Sequence, residues 1–127
     1  MAEQTIKDIL LDTHAFMWAS KQTQVSKLSD KARMAIEESE GEVYVSALTA
    51  FEITNKYRRG KLENYKDVVE HYREVVDALG VKELPLTQEQ AYDAGLLDWD
   101  HRDPFDRMIA AQARTEGLTL VTCDKAF

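Results

Sequence analysis

The chain has 127 residues, and its 16 Lys+Arg against 23 Asp+Glu give a net charge of −7. That length fits one domain over residues 1–127, a hydrophobic content of 44% excludes intrinsic disorder, and no apolar run approaches the roughly 20 residues of a membrane helix. Lys7, Asp8 and Asp12 interrupt the only candidate signal sequence, and the single Cys123 cannot form an internal disulfide, so we expect a soluble cytoplasmic protein.

Short apolar runs alternate along the chain with stretches of helical periodicity. In chain order the pattern predicts strand 9–11, helix 14–20, helix 29–41, strand 43–45, helix 46–58, helix 68–79, strand 81–84, a helix after Thr87, helix 104–116 and strand 118–122. Strands that alternate with helices in this way favour an α/β fold, in which helices cover a parallel sheet.

Several helix boundaries rest on capping residues. Thr87, with Gln90 three residues later, is a capping-box pattern. Asp103 is a candidate N-cap, because Pro104 follows at the position where helices favour proline. Gly117 then provides the stop of that helix. These signals predict two helices separated by the acidic segment that precedes Asp103.

Four acidic residues fall where a parallel α/β sheet binds its ligands, outside the carboxyl ends of the strands. Asp12 and Asp124 follow two predicted strands, Glu52 lies about two turns into a helix, and Asp106 occupies the first turn of another. Clustered carboxylates repel one another, and a bound Mg²⁺ or Mn²⁺ removes that penalty. The matching reaction is hydrolysis of a phosphodiester by a metal-activated water.

Each acid also has a purely structural explanation. Asp12 fits a turn after a strand, Glu52 fits a capping box with Thr49, Asp106 favours the helix dipole, and Asp124 fits a helix cap. The residues alone leave both interpretations open.

The charges are unevenly distributed along the chain. An acidic surplus disfavours a general nucleic-acid coat, which is normally basic. The segment 89–106 is strongly acidic, which suits a divalent cation or a basic partner peptide. One short segment is basic and offers a place for substrate phosphates, although cations also favour a helix end. Its residues are Lys56, Arg58, Arg59 and Lys61.

Four segments of the chain together resemble the PIN-domain family, and in particular its VapC-like branch of toxins from bacterial toxin–antitoxin pairs. In order they are LLDTHAFMW, VYVSALTAFEI, HRDPFDRMIAAQA and EGLTLVTCD. The third is highly specific, whereas the strand segments alone would be weak. The resemblance extends from about Ile9 to Phe127.

The resemblance implies a Mg²⁺- or Mn²⁺-dependent endoribonuclease on a single PIN-like domain, a three-layer α/β/α sandwich around a parallel sheet of four strands. A fifth, closing strand is left open because the chain stops at Phe127. The catalytic acids of the family carry over to Asp12, Glu52, Asp106 and Asp124. Of these, Asp12, Asp106 and Asp124 would hold the metal, and Glu52 would bind metal or position the attacking water.

The resemblance also implies secondary residues and partners. Asp103 would be an outer or alternate acid, and Thr122 matches a hydroxyl near the last catalytic acid. Family members are usually homodimers inhibited by a cognate antitoxin whose basic tail reaches the acidic site. The apolar run 16–18, too hydrophobic to be left exposed, is a second reason to expect a homodimer.

Two other functions remain as alternatives. One is a catalytically idle PIN-like domain that binds a partner, against which the complete set of four acids argues. The other is an aspartyl-phosphate phosphatase on a similar sheet, whose chemistry needs an acid two residues after Asp12, where this chain has His14.

Overall fold

The computed structural model describes residues 8–21, 41–100 and 103–122. The strands are β1 (Ile9–Leu11), β2 (Val43–Ser46), β3 (Lys82–Leu84) and β4 (Thr119–Val121). The helices are α1 (Thr13–Ser20), α2 (Ala47–Arg58), α3 (Lys66–Glu70), α4 (Tyr72–Leu79), α5 (Gln88–Leu96) and α6 (Pro104–Glu116), with a 3-10 turn at Glu63–Tyr65 before α3. The helix predicted over 29–41 and any closing strand after Thr122 lie outside the described residues.

The four strands form one sheet in the order β3-β2-β1-β4, and every pair is parallel. Successive strands are joined through helices, as the alternation of strand and helix patterns predicts. The α/β class and the parallel sheet are therefore confirmed.

Two hydrophobic clusters cover the two faces of this sheet. Alternate side chains of a strand point to opposite faces, so Ile9 and Leu11 join one cluster and Leu10 joins the other. The first cluster packs against α1, α3 and α4, and the second contains Ile109 and Ala113 of α6. Helices on both faces give the three-layer α/β/α arrangement expected of a PIN-like fold.

The apolar run 16–18 belongs to the first of these clusters. Phe16 and Met17 are 0% and 6% exposed, and Trp18 is partly buried against the same cluster. The interpretation of this run as a surface that needs a second subunit is therefore wrong, because the chain's own fold covers it. The expectation of a dimer now rests on the family resemblance alone.

The long amphipathic helix predicted over 68–79 is two helices, α3 and α4, which are separated at His71. The backbone of His71 leaves the helical region, with φ −119° and ψ 38°. On one straight helix Val68 and Val76 would lie about 80° apart around the axis. With the break, both valines are buried in the first cluster.

The cap residues behave as predicted in the last third of the chain. Thr87 and Gln90 form a complete capping box at the start of α5, and Asp103 caps α6 with Pro104 in its first turn. Gly117 adopts φ 69°, a left-handed conformation that suits glycine, and turns the chain from α6 into β4.

Among the described residues, no helix has the length and apolar character needed to cross a membrane.

Candidate functional site

Polar side chains begin at the edge of the sheet where β1, β2 and β4 end. Leu11, the last residue of β1, is paired in register with residues of both neighbouring strands. Leu11 is level with Val45 and Val121, and the next residue along each of these strands is Asp12, Ser46 or Thr122. Because all the strands run the same way, these three residues meet at the carboxyl edge of the sheet. We refer to this part of the molecule as the carboxyl edge.

Asp12 is held in place from two directions. One of its carboxylate oxygens accepts a hydrogen bond of 2.7 Å from the backbone N–H of Ala15, which makes Asp12 the N-cap of α1. The hydroxyl of Thr122 donates to the other oxygen. Asp12 is only 3% exposed. A buried carboxylate is costly without such partners, and the positive end of a helix dipole also favours its charge.

Glu52 reaches the same place from α2. The Thr13 hydroxyl, in the residue after Asp12, donates to Glu52 Oε1 over 2.7 Å, and Thr13 Oγ1 also lies 3.0 Å from Thr49 Oγ1. The other carboxylate oxygen of Glu52 forms an ion pair of 3.2 Å with Lys56 Nζ. The Glu52 side chain is therefore oriented by a hydroxyl on one side and an ammonium group on the other.

This geometry contradicts the capping-box explanation of Glu52. The N-cap of α2 is Ser46, whose hydroxyl accepts from the N–H of Leu48 over 3.0 Å. Thr49 lies inside the helix and does not cap it, so Thr49 and Glu52 form no capping box. The helix predicted over 46–58 agrees with the structure to within one residue, and its cap is Ser46.

The first turn of α6 carries both Asp103 and Asp106. The carboxylate of Asp103 accepts from the N–H groups of Phe105 and Asp106 at 2.9 and 3.4 Å. The rings of Phe105 and Phe51 stack with centroids 5.7 Å apart, which brings this turn against α2 next to Glu52. The first turn of α6, which carries Asp106, thus packs against α2, and Asp103 is occupied as its cap.

The described acids do not form a compact metal cage. Glu52 contacts Thr13, the residue after Asp12, and Asp106 lies on the helix turn that packs against α2. Asp124 lies outside the described residues. Within residues 8–21, 41–100 and 103–122, no three His, Cys, Asp or Glu side chains are grouped closely enough to hold an ion. The acidic segment 89–106 likewise gives no such group in its described part.

The donor set nevertheless suits a hard divalent cation. Carboxylate and hydroxyl oxygens are the ligands that Mg²⁺ and Mn²⁺ prefer, and such sites use one or two protein carboxylates with water completing the shell. Asp12 supplies oxygens of this kind at the carboxyl edge, and Asp106 carries them in the first turn of α6.

The basic segment divides into two parts. Lys56 is engaged with Glu52. Arg58 donates from Nη2 to Asn55 Oδ1 over 3.1 Å, and Arg59 and Lys61 are exposed at the end of α2. Only Lys56 faces an acid of the site, and the other three point to solvent.

Two residues of this region escaped the sequence reasoning. Thr13 lies in the first turn of α1, and its hydrogen bond to Glu52 joins residues that are distant in sequence, so only the three-dimensional structure reveals it. Arg107 donates to the carbonyl oxygens of Ala94, Gly95, Leu97 and Trp99 at 3.0, 3.5, 2.7 and 2.6 Å, and so holds the end of α5 and the residues directly after it. The available signal was an arginine on a helix that is otherwise rich in small residues.

Comparison with known proteins agrees with this architecture. The family model described as PIN domain matches residues 9–127, which include all four candidate acids. No curated protein shows a significant match to the chain.

Proposed function

The chain belongs to the PIN-domain family, whose members are generally nucleases, and we propose that it is a Mg²⁺- or Mn²⁺-dependent endoribonuclease. One observation carries the proposal: Thr13, next to Asp12, donates to Glu52 at the carboxyl edge of the sheet. Glu52 is thus placed at the carboxyl edge beside the residue that follows Asp12, although the two acids are 40 positions apart in sequence.

Each acid has a role in the proposed reaction. Asp12, Asp106 and Asp124 would hold the ion, and Glu52 would bind it or orient the attacking water. The ion, when bound, supplies Lewis acidity that activates water and offsets the charge developing on the phosphate. Thr13 fixes the rotamer of Glu52, so that its carboxylate points in one direction before substrate arrives.

The secondary residues support these acids. Thr122 fixes Asp12 by donating to its carboxylate, and Asp103 fixes the helix turn that carries Asp106. Lys56 offsets the charge of Glu52 and limits repulsion between the acids. Arg58 and the exposed cations after it would contact phosphates of the RNA and add affinity without sequence preference.

We further propose that the nuclease is the VapC-like toxin of a type II toxin–antitoxin pair in the cytoplasm. The family resemblance and the net charge of −7 support an antitoxin with a basic segment, and the resemblance alone supports a homodimer. Purification with the protein encoded by the adjacent reading frame tests this pairing. Failure of that protein to bind or inhibit the nuclease would contradict it.

The direct test of the activity is cleavage of single-stranded RNA with Mg²⁺, with Mn²⁺ and with EDTA. We expect cleavage only with metal, and products with 5′-phosphate and 3′-hydroxyl ends, because water and not the 2′-hydroxyl attacks. Glu52→Gln should abolish cleavage, whereas the matched control Glu74→Gln, an exposed acid of α4, should not. Products with 2′,3′-cyclic phosphate, or full activity in EDTA, would contradict the mechanism. Absence of any cleavage would favour the idle partner-binding domain.

A further inference from the structure

An aromatic pair lies beside the two acids that come from α2 and α6. Phe51 directly precedes Glu52, and Phe105 directly precedes Asp106. Their rings stack with centroids 5.7 Å apart and an interplanar angle of 30°. Phe51 remains 57% exposed even so. Leaving a large aromatic ring in water is unfavourable, so its position next to the acids calls for an explanation.

The exposed ring continues into a polar and cationic stripe along α2. Phe51, Asn55 and Arg58 are spaced i, i+4, i+7 and therefore share one helix face. Arg58 Nη2 donates to Asn55 Oδ1 over 3.1 Å, which confirms that these two side chains lie on the same side. The stripe extends over roughly 10 Å, at about 1.5 Å of rise per residue.

We propose that Phe51, supported by Phe105, is a stacking surface for one unpaired base of the RNA, next to the phosphate that is cleaved. The inference rests on the proposed function, since it assigns the substrate contact of that same site. Single-strand binding sites combine aromatic rings, on which bases stack, with cations that follow the backbone. Arg58 supplies the cation at the far end of the stripe.

The stacking surface also predicts what kind of RNA is used. A base buried in a duplex has both faces covered by its neighbours, so only an unpaired base can stack on Phe51. Stacking tolerates any base, because every base has a π-face. The site therefore selects single-stranded segments rather than a base sequence at this position.

The charges favour RNA over a protein as the occupant of this surface. The other exposed large apolar side chains among the described residues are Leu79 of α4, which is 40% exposed, and Tyr92 and Leu96 of α5, each 69% exposed. Of these, only Tyr92 and Leu96 share a helix, and that helix also carries Glu89 and Asp93. That surface is negative and would repel phosphates. The stripe on α2 ends instead in Arg58, so a polyanion is the complementary partner there.

The experiment measures binding of a labelled single-stranded RNA of about eight nucleotides in EDTA, and cleavage of the same RNA in Mg²⁺. A series of such RNAs carries one abasic position, moved along the strand. They are tested with wild type, Phe51→Leu, Phe51→Trp and the matched control Tyr92→Leu, which removes an even more exposed ring from α5.

We expect wild type to lose affinity at one abasic position adjacent to the cut, and Phe51→Leu to bind intact RNA roughly 5- to 150-fold more weakly. Phe51→Leu should then be insensitive to the abasic nucleotide at that position, because the two changes remove the same contact. Phe51→Trp should restore binding, and Tyr92→Leu should behave as wild type.

The remaining outcomes separate a failure of this inference from a failure of the nuclease proposal. Equal affinity of Phe51→Leu and wild type for intact RNA would show that no base stacks on Phe51. The same conclusion would follow if the affinity lost through Phe51→Leu and the affinity lost through the abasic nucleotide simply added. A change in sedimentation caused by Phe51→Leu alone would show that a second copy covers the ring. Position-specific loss by a wild type that fails to cleave in Mg²⁺ would leave the stacking intact and contradict only the nuclease proposal. Absence of RNA binding by wild type would contradict both.

Discussion

The hydroxyl group of Thr13 links Glu52 to Thr49. It donates to Glu52 Oε1 at 2.7 Å and lies 3.0 Å from the hydroxyl of Thr49, which is completely buried. A hydroxyl can donate only one hydrogen but can also accept, so Thr49 donates to Thr13 when Thr13 donates to Glu52. The three side chains thus form a directed chain of hydrogen bonds.

Replacing Thr13 with valine tests this chain, since valine keeps the shape and removes the hydroxyl. We expect Thr13→Val to lower kcat for RNA cleavage about tenfold or more, with little change in KM, because Glu52 loses its orientation. We also expect a loss of about 1–3 kcal/mol in unfolding free energy from the unsatisfied Thr49 hydroxyl. Thr13→Ser, which keeps the hydroxyl, should retain most activity. Wild-type kcat in Thr13→Val would show that Thr13 does not position Glu52.

Tyr72 gives a pH-dependent prediction at the same scale. Burial and then the nearby Glu83 carboxylate raise its pKa to about 12 from the model-peptide value of 10.0. The unfolded chain therefore loses this proton first, so the stabilising contribution is complete below pH 10 and is lost as pH rises toward 12.

Tyr72→Phe isolates this contribution. The hydroxyl is buried and has no hydrogen-bond partner among the described residues, whereas the ring packs against Phe16 at 5.6 Å. Near neutral pH the variant should be as stable as wild type or more stable, because an unsatisfied polar group is removed. Urea unfolding between pH 9 and 11 should show a smaller decline than in wild type. An identical decline would contradict the raised pKa.

At the scale of elements, the sequence specified what is local. Capping by Thr87 and by Asp103 with Pro104, and the left-handed Gly117, depend only on neighbours in the chain, and all were predicted. The break at His71 was not predicted. It accompanies the burial of Val68 and Val76 in one core cluster, and the periodicity of a sequence carries no information about contacts between distant elements.

The site was predictable to the same extent. Acids at strand ends could be predicted from topology, which brings Asp12 to the carboxyl edge. The contact from Thr13 to Glu52 and the aromatic pair could not, since both depend on how α2 packs beside α1 and α6. The role of Asp124 stays a prediction, because it lies outside the described residues.

Arg107 connects α6 to the end of α5. Its guanidinium group donates to four carbonyl oxygens in and directly after α5, which holds this end of the helix against α6. Arg107→Lys keeps the charge but cannot reach all of these carbonyls from one nitrogen.

We expect Arg107→Lys to lower the unfolding free energy by about 1.5–3 kcal/mol, measured by urea denaturation. Arg114→Lys is the matched control, because Arg114 is an exposed arginine on the same helix, and we expect a change within about 0.5 kcal/mol. Equal stability of the two variants would show that the carbonyl contacts of Arg107 contribute nothing.

At the scale of the whole molecule, an acidic protein must bind a polyanion. The net charge of −7 opposes RNA at long range, and the described acids at the carboxyl edge add to this repulsion. The exposed cations at the end of α2 attract phosphates locally, and a divalent ion would offset the negative charge at the carboxyl edge. In the proposed function, cleavage therefore depends on the ion, whereas the exposed cations of α2 can contact RNA without it.

The measurement that tests this account most directly is thermal melting with and without Mg²⁺, beside RNA cleavage, for wild type, Asp106→Asn and Asp103→Asn. Binding to the folded state alone should raise the wild-type melting temperature, by about 4 °C for each kcal/mol of binding linkage. Asp103→Asn should keep this shift and cleave, because Asn caps a helix about as well as Asp. Asp106→Asn should lose most of the shift and all cleavage. If instead Asp106→Asn cleaves RNA normally and melts lower without metal, Asp106 only stabilises its helix and the metal site assigned to the carboxyl edge is wrong.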